Sequence, residues 1–406
     1  MVEVAKVVIA FSLIILLVRL KWPLGYAMLV SATGLAIMKG VGPRGLGEIL
    51  WRTLSERSTL ELAAILMLIT AFSAVLQESG LLDQLTGALK QLARSTRLVA
   101  TGLPALIGLL PMPGGAAFSA PMVESAFEGV AISPARKAFT NYWFRHVWEY
   151  AWPLYPGVIL TVELTGYPLS RFVLYQLPMS LMAILTGMLV AMRRIPSPSF
   201  DRVAGKGRGV LMRQLLVSLL PILMVILLSV GLNLHLIPAF MVGIALSLWI
   251  GHRNLRHPLG SVLLKSLSLN TVILVIGIMA FKQTLEYTDI IGSMSNAFQV
   301  YGIPPVLLLM VVPFIVGMVS GLTAAFVGVA FPILFPLVSI TGDGIGYVVL
   351  AYAAGFAGVM LSPVHLCFIL SKEYFRTAMG SMYRLILVPA ASVVVAGGLI
   401  CAWMVR

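Results

Sequence analysis

Ten stretches of this chain are apolar for long enough to cross a lipid bilayer, and that repetition limits the fold more than any other feature. They are Val4–Leu20, Trp22–Met38, Leu60–Leu76, Val147–Thr165, Phe172–Met192, Gln214–Leu232, Leu236–Ile250, Val262–Phe281, Gly346–Leu370 and Met382–Val405. A helix needs about 20 apolar residues to cover the roughly 30 Å hydrocarbon core. Within that core every backbone N–H and C=O must be satisfied internally, which runs of this length achieve as helices. Only 11% of the 406 residues are charged and 59% are hydrophobic. A soluble domain carries about a quarter charged residues, and one globule has too little interior for this apolar load. The expected fold class is therefore an all-α polytopic membrane protein. Val4–Leu20 ends in Arg19-Leu-Lys21 with no small-residue cleavage site, so it reads as a retained span rather than a cleaved signal.

Two further apolar stretches, 98–123 and 303–333, are interrupted. The breaks are Pro111-Met-Pro-Gly-Gly-Ala-Ala-Phe-Ser-Ala-Pro121 and Ser320-Gly-Leu-Thr-Ala-Ala-Phe-Val-Gly-Val-Ala-Phe-Pro332. Non-helical backbone survives at membrane depth only where protein buries it or water reaches it. Both stretches read as re-entrant hairpins that dip in and return to the same side. The competing reading is a pair of proline-kinked spans.

The net charge is +13, from 28 Lys and Arg against 15 Asp and Glu. In a soluble chain that excess would point to nucleic acid. Here it fits the tendency of basic residues to collect in cytoplasmic loops, and no nucleic-acid partner is expected. Arg193, Arg194, Arg202, Lys206, Arg208 and Arg213 crowd one linker, 193–213, which is placed in the cytoplasm. Alternating outward from it puts both termini on the extracytoplasmic side of an inner (plasma) membrane. It also puts 20 of the 28 basic residues inside, provided that both interrupted stretches are hairpins.

The two halves, 1–192 and 214–406, resemble each other at an offset of about 209 residues. Ala71-Phe72 matches Ala280-Phe281, Pro104-x-x-x-Gly108 matches Pro313-x-x-x-Gly317, and Ala116-Ala117-Phe118 matches Ala324-Ala325-Phe326. Trp152-Pro153 similarly parallels Ser362-Pro363. Each half then holds five spans and one hairpin. An odd number inverts the second half relative to the first. Inverted repeats with broken helices meeting near the midplane point to a secondary transporter.

Leu110-Pro-Met-Pro-Gly-Gly-Ala and its surroundings, with this topology, resemble the ion transporter superfamily. The closer resemblance is to an uncharacterised prokaryotic integral-membrane family, domain of unknown function 401. The superfamily implies an elevator mechanism, with a dimeric scaffold and a sliding transport domain that carries both hairpins. The Ser-Asn-Thr triplet of its sodium-coupled dicarboxylate members has no counterpart at these tips.

The candidate site residues follow from the breaks. Gly114 and Gly115 can expose backbone N–H groups at one tip, with Ser119 on the adjoining helix, a setting that favours an anion. Ser320, Gly321 and Thr323 form the opposite tip. Ser362 and His365 flank a proline inside an apolar span, where a histidine is costly unless used. His365 is a candidate proton carrier, or else a buried neutral ring. Trp152 and Tyr155 supply candidate walls. Glu124 and Glu149 are candidate coupling groups, though Arg145 and Glu149 are spaced to pair on a helix. Arg145 and His146 read equally as a cytoplasmic anchor, and Glu128 and Glu61 as solvated or interfacial charges.

Cys367 and Cys401 are too few for a disulfide framework, and no CxxC or CxxH spacing indicates a metal. No Walker loop or G-x-S-x-G elbow is present, so neither ATP drive nor an enzyme is expected. The sequence-level expectation is a homodimeric secondary transporter, free of cofactors, for a small anionic solute coupled to H⁺ or Na⁺. The alternatives are a cation/proton antiporter using Glu124, Glu149 and His365, and a membrane enzyme acting on a lipid headgroup.

Overall fold

The structure, a computed structural model, describes every residue except 1, 93–94, 113, 194–206, 253–254, 256, 291–303, 338–343 and 405–406. Most of the basic linker 193–213 therefore lies outside the described residues. So do Arg253, Arg256, Arg406 and the first residue of the second expected hairpin.

The described residues are mostly helical. In the first half α1 (Val2–Arg19) packs on α2 (Leu24–Met38). An amphipathic α3 (Pro43–Ser55), absent from the list of apolar runs, opens with proline at its first turn. α4 (Arg57–Glu78) is followed by a second amphipathic helix, α5 (Leu81–Leu92). Next, α6 (Thr96–Ile107) and α7 (Gly115–Ala126) fold back on each other. α8 (Pro134–His146) and α9 (Pro156–Thr165) flank a non-helical break, and α10 (Leu169–Met192) closes the half.

The second half runs α11 (Arg208–Ile226) with a π-turn to Gly231, α12 (Leu236–Gly251), α13 (Leu259–Ser266) and α14 (Leu269–Tyr287). Then come α15 (Pro305–Ser320) and α16 (Thr323–Leu337), which also fold back on each other. α17 (Ile345–Met360) and α18 (Leu366–Tyr374) flank the second break, and α19 (Met379–Met404) ends the series.

Among the described residues, five helical stretches are long and apolar enough to cross a membrane: α4, α10, Arg208–Gly231, Leu259–Tyr287 and α19. The chain is a multi-pass membrane protein. Along α10, Leu174, Leu177, Leu181, Leu185 and Leu189 form an exposed apolar stripe, as lipid contact requires. α17 is the opposite case: every residue but Tyr347 is buried, the mark of an apolar helix enclosed by others.

Val262–Phe281 and Gly346–Leu370 are each interrupted, and the stretch read as Val147–Thr165 departs furthest from its expected bounds. Its helical residues begin at Pro134, in α8, and α9 takes up only its last ten. Ser133 caps α8 by accepting the amide of Arg136, and Pro134 takes the first helical position, where a missing N–H costs nothing. Arg136, Lys137, Asn141, Arg145 and His146 depress the hydropathy of α8 and hide it from an apolar-run reading. Protein rather than lipid buries its inner turns, from Ala138 to His146.

Polar pairs mark the two ends of the bundle. At the start of α4, Glu56 lies 3.8 Å from Lys282 and Glu61 lies 3.5 Å from His235. At its end, 22 residues or about 33 Å later, Glu78 meets His257 at 2.8 Å. Helices α4, α12 and the α13–α14 pair therefore traverse the same thickness. Small residues set the closest crossings. Gly25 on α2 and Gly277 on α14 bring backbone against backbone between the halves. Gly317 on α15 meets Gly355 on α17 in the same manner, which only small residues allow.

Candidate functional site

A helix that stops inside the protein leaves four carbonyls without partners. At the end of α6 backbone amides take the carbonyls of Pro104, Leu106 and Ile107, and the first break supplies a partner for Ala105 and for the carbonyls of the turn that follows. Trp148 donates its indole N–H to the Ala105 carbonyl at 3.0 Å, and Trp152 donates to Leu109 at 3.0 Å. The Tyr155 hydroxyl donates to Gly108 at 2.6 Å. Arg145, 2% exposed, donates to the carbonyls of Leu110 and Met112 at 3.3 and 3.1 Å, to the Tyr155 hydroxyl at 2.7 Å, and to Glu149 at 3.4 Å. A guanidinium at a helix C-terminus also meets the negative end of the helix dipole. Its Nε–H has no partner among the described residues.

The tips are formed by glycines that accept a left-handed backbone. Gly114 has φ +71° immediately before α7, and Gly321 has φ +65° immediately after α15. Residues with a Cβ are disfavoured there. Gly115 packs directly on the guanidinium of Arg145, and Gly321 on Ser362 and the backbone of His365.

Two tyrosines tie the breaks together. Tyr142 on α8 donates to the Met360 carbonyl at the end of α17, at 3.0 Å. Tyr352 on α17 donates to the Glu149 carbonyl in the first break, at 2.9 Å. Residues 142 and 352 are 210 apart, and 149 and 360 are 211 apart. Both spacings are close to the 209-residue offset expected from the sequence.

Around these elements lies a cavity of about 470 Å³. One side is the hairpin tips and the breaks, through Pro111, Met112, Gly114, Arg145, His146, Glu149, Tyr155, Gly157, Gly321, Thr323, His365 and Cys367. The other side is α2 and α14, through Pro23, Gly25, Asn270, Thr271 and Leu274. Four helices, α7, α9, α16 and α18, begin at or beside this space. A helix N-terminus carries roughly half a positive charge and can meet an anionic group; α8, α15 and α17 end, with the opposite partial charge, at the same breaks and tip.

Of the residues singled out from sequence, Gly114, Gly321, Thr323, Tyr155, Glu149 and His365 line the cavity. Gly115 and Ser362 stand immediately behind it, against Arg145 and Gly321. Ser119 is fully buried and bonds Asn141 at 2.6 Å; Asn141 in turn bonds Ser371 of the other half at 2.9 Å. Its place is in a packed polar contact between the halves, not in the lining. Ser320 returns its hydroxyl to Val316, and half-buried Trp152 spends its N–H on α6. Glu124 is not brought to the site at all. It lies at the far end of α7, exposed, and pairs with Lys137 at 2.8 Å. The anchor reading of Arg145 and His146 fails, since both are 2% exposed and face the cavity.

Asn141, Tyr142, His146 and Tyr352 were not among the expected site residues. For the tyrosines a signal exists, since they lie one repeat length apart.

The family described as "protein of unknown function (DUF401)" matches residues 4–405, and the chain belongs to that family. No curated protein matches the sequence. Among solved structures, the chain is similar to the YdaH transporter of Alcanivorax borkumensis, with a TM-score of 0.62 at 14% identity over 89% of each chain. At that identity the likeness is one of fold.

Proposed function

We propose that this DUF401 member is a secondary active transporter of a small anionic solute. The observation that carries the reading is the meeting of broken helices from both halves around one cavity that holds a buried arginine. Broken helices at midplane are how transporters expose polar backbone to a solute without exposing it to lipid. The four helix N-termini supply positive potential. Arg145 lies 3.4 Å from Glu149, and the helix N-termini add to its positive potential at the cavity. A volume of about 470 Å³ suits a metabolite-sized ligand. The fold likeness to a transporter supports the same class.

The finer reading follows that geometry. Residues 1–192 and 214–406 are two inverted repeats joined by a cytoplasmic linker, with α6–α7 and α15–α16 as re-entrant hairpins entering from opposite faces. The reciprocal tyrosine bonds and the sorting of ion pairs to two ends support this arrangement. The cavity lies on a seam, which suits an elevator: the hairpins and breaks slide against α2 and α14, and early spans of two copies form a dimeric scaffold. Transport is coupled to H⁺ or Na⁺, in an inner membrane, with both termini outside. Channel and enzyme readings lack an observation of their own.

The test is solute-dependent thermal stabilisation of purified protein over carboxylates, sugar acids and phosphates. Uptake of any hit into proteoliposomes under an imposed proton or sodium gradient follows. Stabilisation by an anion and gradient-dependent uptake are expected. Uptake that never exceeds passive equilibration under either gradient would overturn the transporter reading. For orientation, a cysteine at Arg208 should react with impermeant maleimide only in inside-out vesicles, and one at Lys39 only in right-side-out vesicles.

A further inference from the structure

We propose that His146, His365 and Cys367 form a binding site for a zinc-class metal ion where the two breaks meet. The two histidines come from opposite halves, 219 residues apart, so no spacing in the sequence signals the site. His146 Nδ1 lies 2.6 Å from the Tyr142 carbonyl, and His365 Nδ1 lies 3.0 Å from the Gly321 carbonyl. A carbonyl can only accept, so each Nδ1 carries the hydrogen and each neutral ring turns a lone pair outward at Nε2. Those two lone pairs face each other at 3.1 Å. The pair is complete only with a cation between or beside them.

The geometry favours a metal. Two imidazole nitrogens bound at about 2.05 Å to one tetrahedral ion stand about 3.3 Å apart, close to the spacing observed. Ligating histidines characteristically donate their other ring N–H to a carbonyl, as both do here. The third donor is present: Cys367 Sγ and the two imidazole ligand atoms all lie within 4.8 Å of one another. Binding would replace the S–H bond by an S–metal bond and release the proton to water. Two nitrogens and one sulfur are donors suited to Zn²⁺, and three protein ligands leave a fourth position open. All three residues line the cavity, where an anionic group of a solute could complete the shell. The site shares its cavity with the transport reading above but does not depend on it.

The test uses the whole purified protein, stripped with chelator and titrated with Co²⁺ as a spectroscopic substitute for Zn²⁺. We expect one ion per chain, the visible bands of tetrahedral cobalt, a near-ultraviolet thiolate-to-cobalt band, and loss of all of them on adding Zn²⁺. Cys367→Ser should remove the thiolate band, while Cys401→Ser, at the other free thiol, should keep it. His146→Gln and His365→Gln should each weaken binding at least tenfold, with size-exclusion profile and helical circular dichroism unchanged. No stoichiometric binding by the wild-type chain, or a thiolate band that persists in Cys367→Ser, overturns the proposal. Failure of proteoliposome uptake would leave the cobalt spectrum unaffected, so the two readings fail separately.

Discussion

The hairpin tips can be told apart by a single methyl group. Gly114 and Gly321 both hold a left-handed backbone, with φ of +71° and +65°. Alanine in that region costs about 1–2 kcal/mol. At Gly114 an added Cβ would meet only Leu370 Cδ1, at 3.6 Å, an ordinary contact with a movable side chain. Gly114→Ala should therefore cost the backbone term alone, about 1–2 kcal/mol. At Gly321 the same Cβ would stand 3.0 Å from His365 Cα, His365 N and Ser362 Oγ. Carbon contacts are optimal at about 3.5–4.0 Å, so the second break must shift by about half an ångström. Overpacking of that kind adds about 1–3 kcal/mol, for a total of about 2–5 kcal/mol at Gly321. Because the shift moves His365 against the Gly321 carbonyl, it should also weaken whatever the cavity binds. Thermal unfolding in detergent, with and without a stabilising solute, reads both effects. The expected order of stability is wild type, then Gly114→Ala, then Gly321→Ala, with solute stabilisation reduced only in the last. Equal destabilisation of the two variants, or a Gly321→Ala protein as stable as wild type, would refute the reasoning.

Tyr142→Phe and Tyr352→Phe should each destabilise by about 1–3 kcal/mol, because each leaves a buried carbonyl unpaired. Thermal unfolding checks both, and near-equal effects are expected from counterpart bonds. Arg145→Lys should cost about 3–5 kcal/mol: an ammonium cannot reach Tyr155, Leu110, Met112 and Glu149 together. The same unfolding assay should show it, with loss of uptake. Glu124→Gln should leave uptake within about twofold of wild type, since a surface pair with Lys137 contributes little; a larger loss in proteoliposomes would return Glu124 to the site.

Much of the architecture is legible in the sequence because lipid imposes a simple rule on it. Where a helix faces lipid, as α10 and α19 do, the apolar run and the helix nearly coincide. The rule fails where protein replaces lipid as the surroundings. α8 carries Arg136, Lys137, Asn141, Arg145 and His146 in 13 residues, and no hydropathy reading recovers it as half of a span. The glycines of the two turns were readable because a left-handed backbone favours glycine. The roles of the side chains around the tips were not. Whether Ser119 faces a solute or Asn141 depends on the packing of α7 against α8 and α18, which one-dimensional spacing does not encode. Each histidine is legible only alone, His146 as an anchor, which its burial overturns, and His365 as a candidate proton carrier or else a buried neutral ring. Their meeting at 3.1 Å is a property of the folded pair of halves.

The exchange of tyrosine bonds between the halves has a consequence in time. A ribosome delivers the first half before the second, and the Glu149 carbonyl needs a hydroxyl from a residue 203 positions later. At about 5–20 residues per second, the interval between them is on the order of 10–40 s. Throughout it the newly inserted first break lacks its proper donor and draws on water or on a temporary neighbour. The nascent protein thus rests in the bilayer as an unfinished half whose completion is read out by one distant side chain. A membrane protease or insertase that recognises exposed polar backbone has that window in which to act. Tyr352→Phe extends the window indefinitely, so its effect on the amount of protein accumulated in cells should exceed its effect on the stability of the protein that is purified.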